Sequence, residues 1–280
     1  MKRAFLLAYP AGHSLSPAMH NAAFAHLGLA ARYEALEVRP EALALVAATL
    51  RSDEVLGANV TIPHKEAVIP FLDGVDETAA RIGAVNTVVN RGGRLTGYNT
   101  DAPGFGRALA EAGLALQGRR ALLLGAGGSA RAVGYALLRA GVSCLGVYNR
   151  SAERAEALAG DFAALGPVHA LEAGALEGAV LAADLLINTT AVGMVRASRD
   201  PDASPLPPGV LPERGFVCDL VYRPAKTRLL REAEEAGLRT QNGLPMLVYQ
   251  GAEAFGRWTG REPPVAVMMA AALTALEAAP

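Results

Sequence analysis

The stretch RALLLGAGGSARAVGYALLRAGVSCLGVYN, residues 120–149, constrains the chain more than any other. An apolar strand runs into a glycine turn, the turn opens an Ala/Leu-rich helix, and a second apolar strand follows, which makes a complete βαβ unit. Within it GAGGSA, residues 125–130, has the GxGxxA spacing of a dinucleotide-binding turn in the context that gives the spacing meaning. Gly125 permits the tight turn, Gly127 lets the backbone approach a pyrophosphate, and small Ala130 allows close packing of the helix. Ala126, Gly128 and Ser129 complete the loop, whose N–H groups and helix dipole attract an anion.

The end of the second strand selects the cofactor. Where an NAD site wants an acid for the ribose hydroxyls, this strand ends Tyr148, Asn149, Arg150, Ser151, with no acid before Glu153. An arginine and a hydroxyl suit a 2′-phosphate, so the expected cofactor is NADP. Arg131, just inside the helix, either assists the phosphate or is exposed.

The rest of the chain alternates short apolar runs with helical stretches, as an α/β protein with mostly parallel strands does. Before the βαβ unit come strand AFLLAY, a helix near 17–27, strand RYEALEV, a helix near 41–51, and strand VLGANVT running into a helix at Pro63. AVNTVVN and GRLTGYN read as a hairpin turned at Arg91, Gly92 and Gly93, and GFGRALAEAG follows as a helix. After the βαβ unit come helix AERAEALAGDFAAL, strand DLLINTT, a Pro/Asp/Ser-rich loop over 196–209, strand GFVCDLVY and helix KTRLLREAEEAG. From Asn242 the pattern is all helical, and its apolar residues need a partner, best supplied by the first domain. With 280 residues two domains are expected. One consists of residues 1–101 with 243–280, and the other of residues 102–242.

A net charge of −1 argues against nucleic-acid binding, which needs an excess of basic side chains on one face. Cys144 and Cys218 each sit in a short apolar run and read as small buried hydrophobes without a disulfide. The opening MKRAFLLAYP is too short in its apolar run for a signal peptide, and VAVMMAAALTALEAA falls short of the roughly 20 residues that cross a bilayer. A cytoplasmic enzyme with a small ligand is expected. His13, His20, His26, His64 and His169 lack metal-ligand spacing, so no metal is expected. His20 and His26 read as helix residues near the core, and His64, beside Lys65, reads more readily as a surface residue than as one that tunes the site.

Four polar segments are hard to explain as folding signals: GHSLSPAMHN (12–21), NVTIPHK (59–65), AVNT (84–87) and GYNTD (97–101). Each follows or ends an expected strand, and ligands of open α/β sheets bind beyond strand carboxyl ends. Together with GAGGSARA, the NRS triplet, NTTAVGM (188–194), DLVYRPAKT (219–227) and NGLPMLVYQ (242–250), they resemble the shikimate dehydrogenase family over nearly the whole chain. AYPAGHS lacks the glycine that commonly precedes the proline, and Ala191 stands where a serine is frequent.

The resemblance implies a substrate domain built from both termini, a Rossmann-type NADP domain between them and an active site in the intervening cleft. It implies reversible NADPH-dependent reduction of 3-dehydroshikimate to shikimate, in aromatic amino acid biosynthesis, by a monomer or homodimer. By position it assigns Lys65 and Asp101 as the catalytic pair. Ser14 and Ser16 would bind the substrate carboxylate with Tyr222, while Asn59, Thr61, Asn86 and Gln250 would hold ring hydroxyls. Thr189, Gly243 and Met246 join the glycine loop and the Asn149–Ser151 run in cofactor binding. A quinate/shikimate dehydrogenase using NAD, or a noncatalytic NADP-binding sensor, are the alternatives.

Lys65 also stands out without the resemblance. Only Lys2, Lys65 and Lys226 interrupt an otherwise arginine-only basic set, and Lys65 adjoins the apolar run AVIPFL. An ammonium loses its proton when desolvated, whereas a guanidinium effectively does not, so lysine suits proton transfer. Asp101 could equally cap the helix that begins near Pro103.

Overall fold

The computed structural model describes residues 1–278 apart from 13, 196–199 and 201, so His13 and part of the 196–209 loop lie outside the described residues. It divides into two compact units, Met1–Arg107 with Leu247–Pro280, and Ala108–Met246. The expected boundaries at 101 and 242 fall short of these. The reason is that two helices, α4 (Asp101–Glu111) and α9 (Leu244–Thr259), run unbroken through the boundaries.

The first unit is built on strands β1 (Lys2–Ala8), β2 (Ala31–Glu37), β3 (Val55–Val60), β4 (Gly74–Val75), β5 (Thr87–Arg91) and β6 (Arg94–Tyr98), in the order β2-β1-β3-β5-β6-β4. β1 pairs in parallel with β2 and β3, and β4 with β6, while β5 is antiparallel to both neighbours. The β5–β6 hairpin is tighter than expected: Arg91 pairs with Arg94, leaving Gly92 and Gly93 at φ 58° and 83°. Positive φ at both central residues is what a type I′ turn requires. Helices α1 (Ser16–His26), α2 (Leu43–Thr49), α3 (Glu77–Ile82), most of α9 and α10 (Val265–Glu277) complete the unit. α3 was not anticipated, although Asp76 caps it by accepting from Thr78 N and Gly83 ends it at φ 72°. The helix expected at Pro63 is instead a series of turns ending in a 3-10 turn at Ile69–Phe71, because Pro70 has no N–H to continue a ladder.

Phe5, Leu7, Val60, Val85 and Leu95 form the core on one side of this sheet. α10 packs against α1, which gives the apolar C-terminal segment its partner. Gly57 makes room for α9: a Cβ there would lie 2.0 Å from Val88 O and 2.6 Å from Trp258 Nε1, the indole that donates to that carbonyl.

The second unit has β7 (Arg120–Leu124), β8 (Cys144–Tyr148), β9 (Val168–Ala170), β10 (Leu185–Asn188), β11 (Phe216–Asp219) and β12 (Arg239–Gln241), all parallel in the order β12-β11-β10-β7-β8-β9. Helices α5 (Gly128–Arg139), α6 (Ala152–Phe162), α7 (Leu176–Ala182) and α8 (Arg228–Glu235) flank it. This is the doubly wound Rossmann order, whose switch point lies between β7 and β10. β9, β12 and α7 escaped the sequence reading. Leu122, Leu124, Leu186, Val217 and Leu229 pack as its core. No described helix is long and apolar enough to cross a membrane.

Candidate active site

Lys65 follows β3 through a turn fixed at both ends: His64 N donates to Thr61 O, and Val85 N donates to Lys65 O, both at 2.8 Å. Asp101 opens α4, where the helix dipole favours a carboxylate. The two side chains meet, Lys65 Nζ 2.5 Å from Asp101 Oδ2, with the residues only 8 % and 5 % exposed. Burial of both charges removes the screening that makes surface ion pairs weak. Asp101 lies inside the helix and is not its cap. Asn99 has that role, its Oδ1 accepting from Ala102 N while its Nδ2 donates to Ala84 O.

Around the pair lies a buried polar network. Asn86 Nδ2 faces Asp101 Oδ1 at 2.8 Å, Thr100 Oγ1 at 2.9 Å and Gln250 Oε1 at 3.2 Å. Its Oδ1 accepts from Thr100 N at 2.6 Å. Asn59 Nδ2 donates to Asn86 O and Thr87 Oγ1, and its Oδ1 accepts from the Tyr33 hydroxyl at 2.8 Å. Both N–H groups of Asn59 are thus committed within the protein, leaving a lone pair of Oδ1 for a ligand. Gln250 reaches the network because Gly104 lets α9 approach α4: a Cβ there would lie 2.6 Å from Gln250 N. AVNT is not at a strand's carboxyl end. It leads into β5, and because β5 runs antiparallel, its start lies beside the ends of β3 and β6, with Asn59 opposite Thr87 and Thr87 opposite Tyr98. Ser16 N donates to Ser14 Oγ at 3.1 Å, with Ser16 buried, and Thr61 N donates to Leu7 O at 3.0 Å.

In the second unit Gly125 turns at φ 112° against the chain after β10, its missing Cβ 2.5 Å from where Thr189 Oγ1 stands. Thr189 donates through N and Oγ1 to Leu124 O, which fixes it beside the glycine turn. α5 starts at Gly128 with no side-chain cap at Gly127, and a Cβ on Gly127 would enter open space, the cradle a pyrophosphate fits. Ala126 and Ala130 are buried. At the end of β8, Arg150 is exposed, Asn149 Nδ2 donates to Ser151 O, and Ser151 Oγ donates to Glu153 Oε2 at 2.7 Å. Arg131 pairs with Asp161 at 2.7 Å. Asp219 ties two loops by accepting from Asn188, Val221 N and Thr227, and burial raises its pKa from 3.8 to about 6. Gly243 lies so close to Leu220 that a Cβ would come 1.9 Å from its carbonyl oxygen. Met246 is buried, and Tyr222 follows β11 half-buried in this unit. These residues suit the binding of a phosphorylated dinucleotide.

Several expectations need correction. His64 is buried, not superficial, its Nε2 2.7 Å from Val38 O. His26 is exposed, since it lies at the end of α1. Cys218 is buried, but Cys144 is only half-buried, its Sγ 3.4 Å from His169 Nδ1. Among the described residues no cluster of His, Cys, Asp or Glu could hold a metal. The sequence reading passed over Thr87 and Thr100, although both lie inside segments it singled out, and over Tyr33, which it took only as part of a strand.

Comparison with known proteins matches residues 6–88 to the shikimate dehydrogenase substrate binding domain, 108–200 to shikimate / quinate 5-dehydrogenase, and 243–273 to the shikimate 5′-dehydrogenase C-terminal domain. The shikimate dehydrogenase (NADP(+)) of Symbiobacterium thermophilum is 53 % identical, covering 98 % of this chain and 95 % of its own length. Shikimate 5-dehydrogenase from Thermus thermophilus, solved in complex with NADP(H) and shikimate, is 49 % identical with a TM-score of 0.89, over 99 % of this chain and all of that one. Quinate dehydrogenase from Corynebacterium glutamicum, in complex with NAD, superimposes with a TM-score of 0.88 at 34 % identity, over 98 % and 99 % of the two chains. Matched in all three of its segments, and more than half identical to a relative over nearly its entire length, this chain belongs to the shikimate dehydrogenase family.

Proposed function

We propose that the protein catalyses the reversible NADPH-dependent reduction of 3-dehydroshikimate to shikimate. The observation that carries this reading is the buried Lys65–Asp101 pair, 2.5 Å apart, at the edge of a polar network that can hold ring hydroxyls. When bound, NADPH supplies the hydride that the ring carbonyl carbon accepts. The protein's part is charge, orientation and a proton. Lys65 places its ammonium at the carbonyl oxygen, where negative charge develops, and gives that oxygen a proton; Asp101 holds the ammonium in position.

Ring hydroxyls fall to Asn86, Gln250, Thr61 and the remaining lone pair of Asn59. The 3.2 Å Asn86–Gln250 bond is the longest that Asn86 Nδ2 makes, so a ring hydroxyl would replace it at least cost. Ser14 and Ser16 offer hydroxyls to the substrate carboxylate. For the cofactor, the turn from Gly125 to Ala130 would hold the pyrophosphate and Arg150, with Asn149 and Ser151, the 2′-phosphate. Thr189, Gly243 and Met246 would line the remainder. Ser151 would first have to release Glu153. NADP suits this strand end better than NAD, because it carries Asn149, Arg150 and Ser151 where an NAD site wants an acid for the ribose hydroxyls.

The test is a grid of initial rates, shikimate or quinate against NADP or NAD, followed by the near-ultraviolet absorbance of the reduced nicotinamide. Fast turnover with shikimate and NADP is expected. A higher kcat/KM with quinate and NAD would move the enzyme to the quinate type, and no turnover with tight NADPH binding would make it a sensor.

A further inference from the structure

Tyr33 holds no ligand in the proposed reaction, yet it is 1 % exposed and among the largest fully buried side chains. Its placement is over-determined. Asn21 clamps its backbone at both ends, Oδ1 accepting from Tyr33 N at 2.8 Å and Nδ2 donating to Tyr33 O at 2.9 Å. The ring stacks on His20 at 4.4 Å between centroids and tilts against Trp258 at 5.9 Å. Burial pushes its pKa well above the usual value, against a hydrogen bond with the Ser16 side chain that pulls it down, so the phenol keeps its proton and remains a donor.

Two groups of fixed polarity orient everything between this phenol and Asp101. Asn59 Nδ2 faces Asn86 O, a carbonyl that only accepts, so Asn59 Oδ1 must face Tyr33 and the tyrosine must donate. Asn86 Oδ1 faces Thr100 N, a group that only donates, so Asn86 Nδ2 must face the Asp101 carboxylate. Thr87 Oγ1 accepts from Asn59, which turns its own hydrogen toward Asn86 Oδ1 at 3.2 Å or Thr100 Oγ1 at 3.0 Å. The hydrogen bonds therefore run one way: Tyr33 to Asn59, Asn59 to Thr87, Thr87 to Asn86 either directly or through the Thr100 hydroxyl, and Asn86 to Asp101. Donors aligned head to tail polarise one another, and the last of them strengthens at the carboxylate.

We propose that Tyr33 is a positioning residue for the reacting pair, donating into a one-directional chain of hydrogen bonds that ends on Asp101 and holds its carboxylate aimed at Lys65. The inference rests on the shikimate dehydrogenase reading and deepens it. Lys65 is the charged partner of Asp101 in this network; Tyr33, Asn59, Thr87, Asn86, Thr100 and Gln250 contribute only neutral groups.

Tyr33→Phe removes a single oxygen and leaves the stack. The wild-type enzyme is first assayed with shikimate and NADP; failure there sinks the functional reading itself, whatever Tyr33 does. Given wild-type turnover, Tyr33→Phe is expected to lower kcat about 3- to 30-fold, the range for residues that act through a network. The dissociation constant for NADPH should be unchanged. The acid limb of kcat/KM against pH should move, because the chain ends on the reacting pair. A tyrosine that only packed would lower the melting temperature without moving that limb. Thr87→Val breaks the same chain midway, so it should reproduce the shift, and the double variant should be no slower than about the worse single one. Turnover of Tyr33→Phe within twofold of wild type with an unmoved acid limb, or effects of the two variants that multiply, would overturn the proposal. If Tyr33→Phe does not fold, Thr87→Val alone decides by the same two readouts.

Discussion

His20 offers a quantitative test of the first unit's interior. Its imidazole is fully buried, neither ring nitrogen has a hydrogen-bond partner among the described residues, and it is stacked against Tyr33 with Trp258 5.3 Å away. Burial drives its pKa from 6.5 down to about 3, the Asn59 side chain pulling the other way. The folded state therefore stays neutral where the unfolded chain takes up a proton. Below pH 6.5 the unfolded state binds more protons, so stability falls with falling pH until about pH 3. At about 1.4 kcal/mol for each pH unit, acidification from pH 7 to 4.5 removes about 2.5 kcal/mol through this one ring. His20→Phe keeps an aromatic stack and removes the titration. Urea unfolding of both proteins at the two pH values, followed through the fluorescence of Trp258, the sole tryptophan, reports the first unit directly. The variant should gain about 2.5 kcal/mol on wild type between pH 7 and 4.5. A difference that is the same at both pH values would refute the reasoning. Asp219, in the second unit, has the opposite sign: its pKa is raised from 3.8 to about 6, so protonation favours the folded state as pH falls through that window. A whole-chain signal such as circular dichroism would blend the two, which is why the local fluorophore matters.

Lys65→Ala should lose roughly 100- to 10,000-fold in kcat while its NADPH dissociation constant, read by nucleotide fluorescence, stays near wild type. Turnover within about threefold of wild type would exclude Lys65 from the chemistry. Gly125→Ala places a Cβ 2.5 Å from Thr189 Oγ1 at φ 112°, so it should cost about 1–3 kcal/mol in urea unfolding and raise the KM for NADPH with little change in that for shikimate. Arg150→Ala should cut the preference for NADPH over NADH by about tenfold or more, in line with loss of a charge-assisted phosphate contact, and leave NADH kinetics nearly untouched. An unchanged ratio would place the 2′-phosphate elsewhere.

The glycine turn was legible because its signal is local: strand, turn and helix lie within twenty-odd residues and each has its own period. The polar segments were legible for a related reason, since AVNT and GYNTD carry Asn, Thr and Asp where alternation alone asks for apolar side chains. What escaped was whatever depends on distant neighbours. VHA and RTQ are short edge strands whose residues show no period of their own, so only pairing with β8 and β11 makes them strands. His64 reads from its own segment as a surface residue, yet it is buried against the chain after β2, a neighbour distant in sequence. Tyr33 is set by residues 20, 21, 59 and 258, which no window along the chain brings together.

The three lysines show what each level of description adds. Against a background of arginine, their identity alone says that a guanidinium was not required at positions 2, 65 and 226. Two of them are exposed: Lys2 reaches the carbonyl of Asp53, and Lys226 pairs with Glu234 in solvent, where such a contact contributes little. Lys65 alone of the three is buried, with a carboxylate that is itself held by Asn86 and by the first turn of a helix. A buried ion pair is not an economical way to stabilise a fold, because desolvation of both charges offsets most of their attraction. Keeping one here, in the member of the basic set that can give up a proton, points to chemistry over stability. A neutral pair such as Lys65→Met with Asp101→Leu should therefore fold at least as well as wild type and turn over nothing. A double variant that is inactive because it no longer folds would return the pair to a structural role.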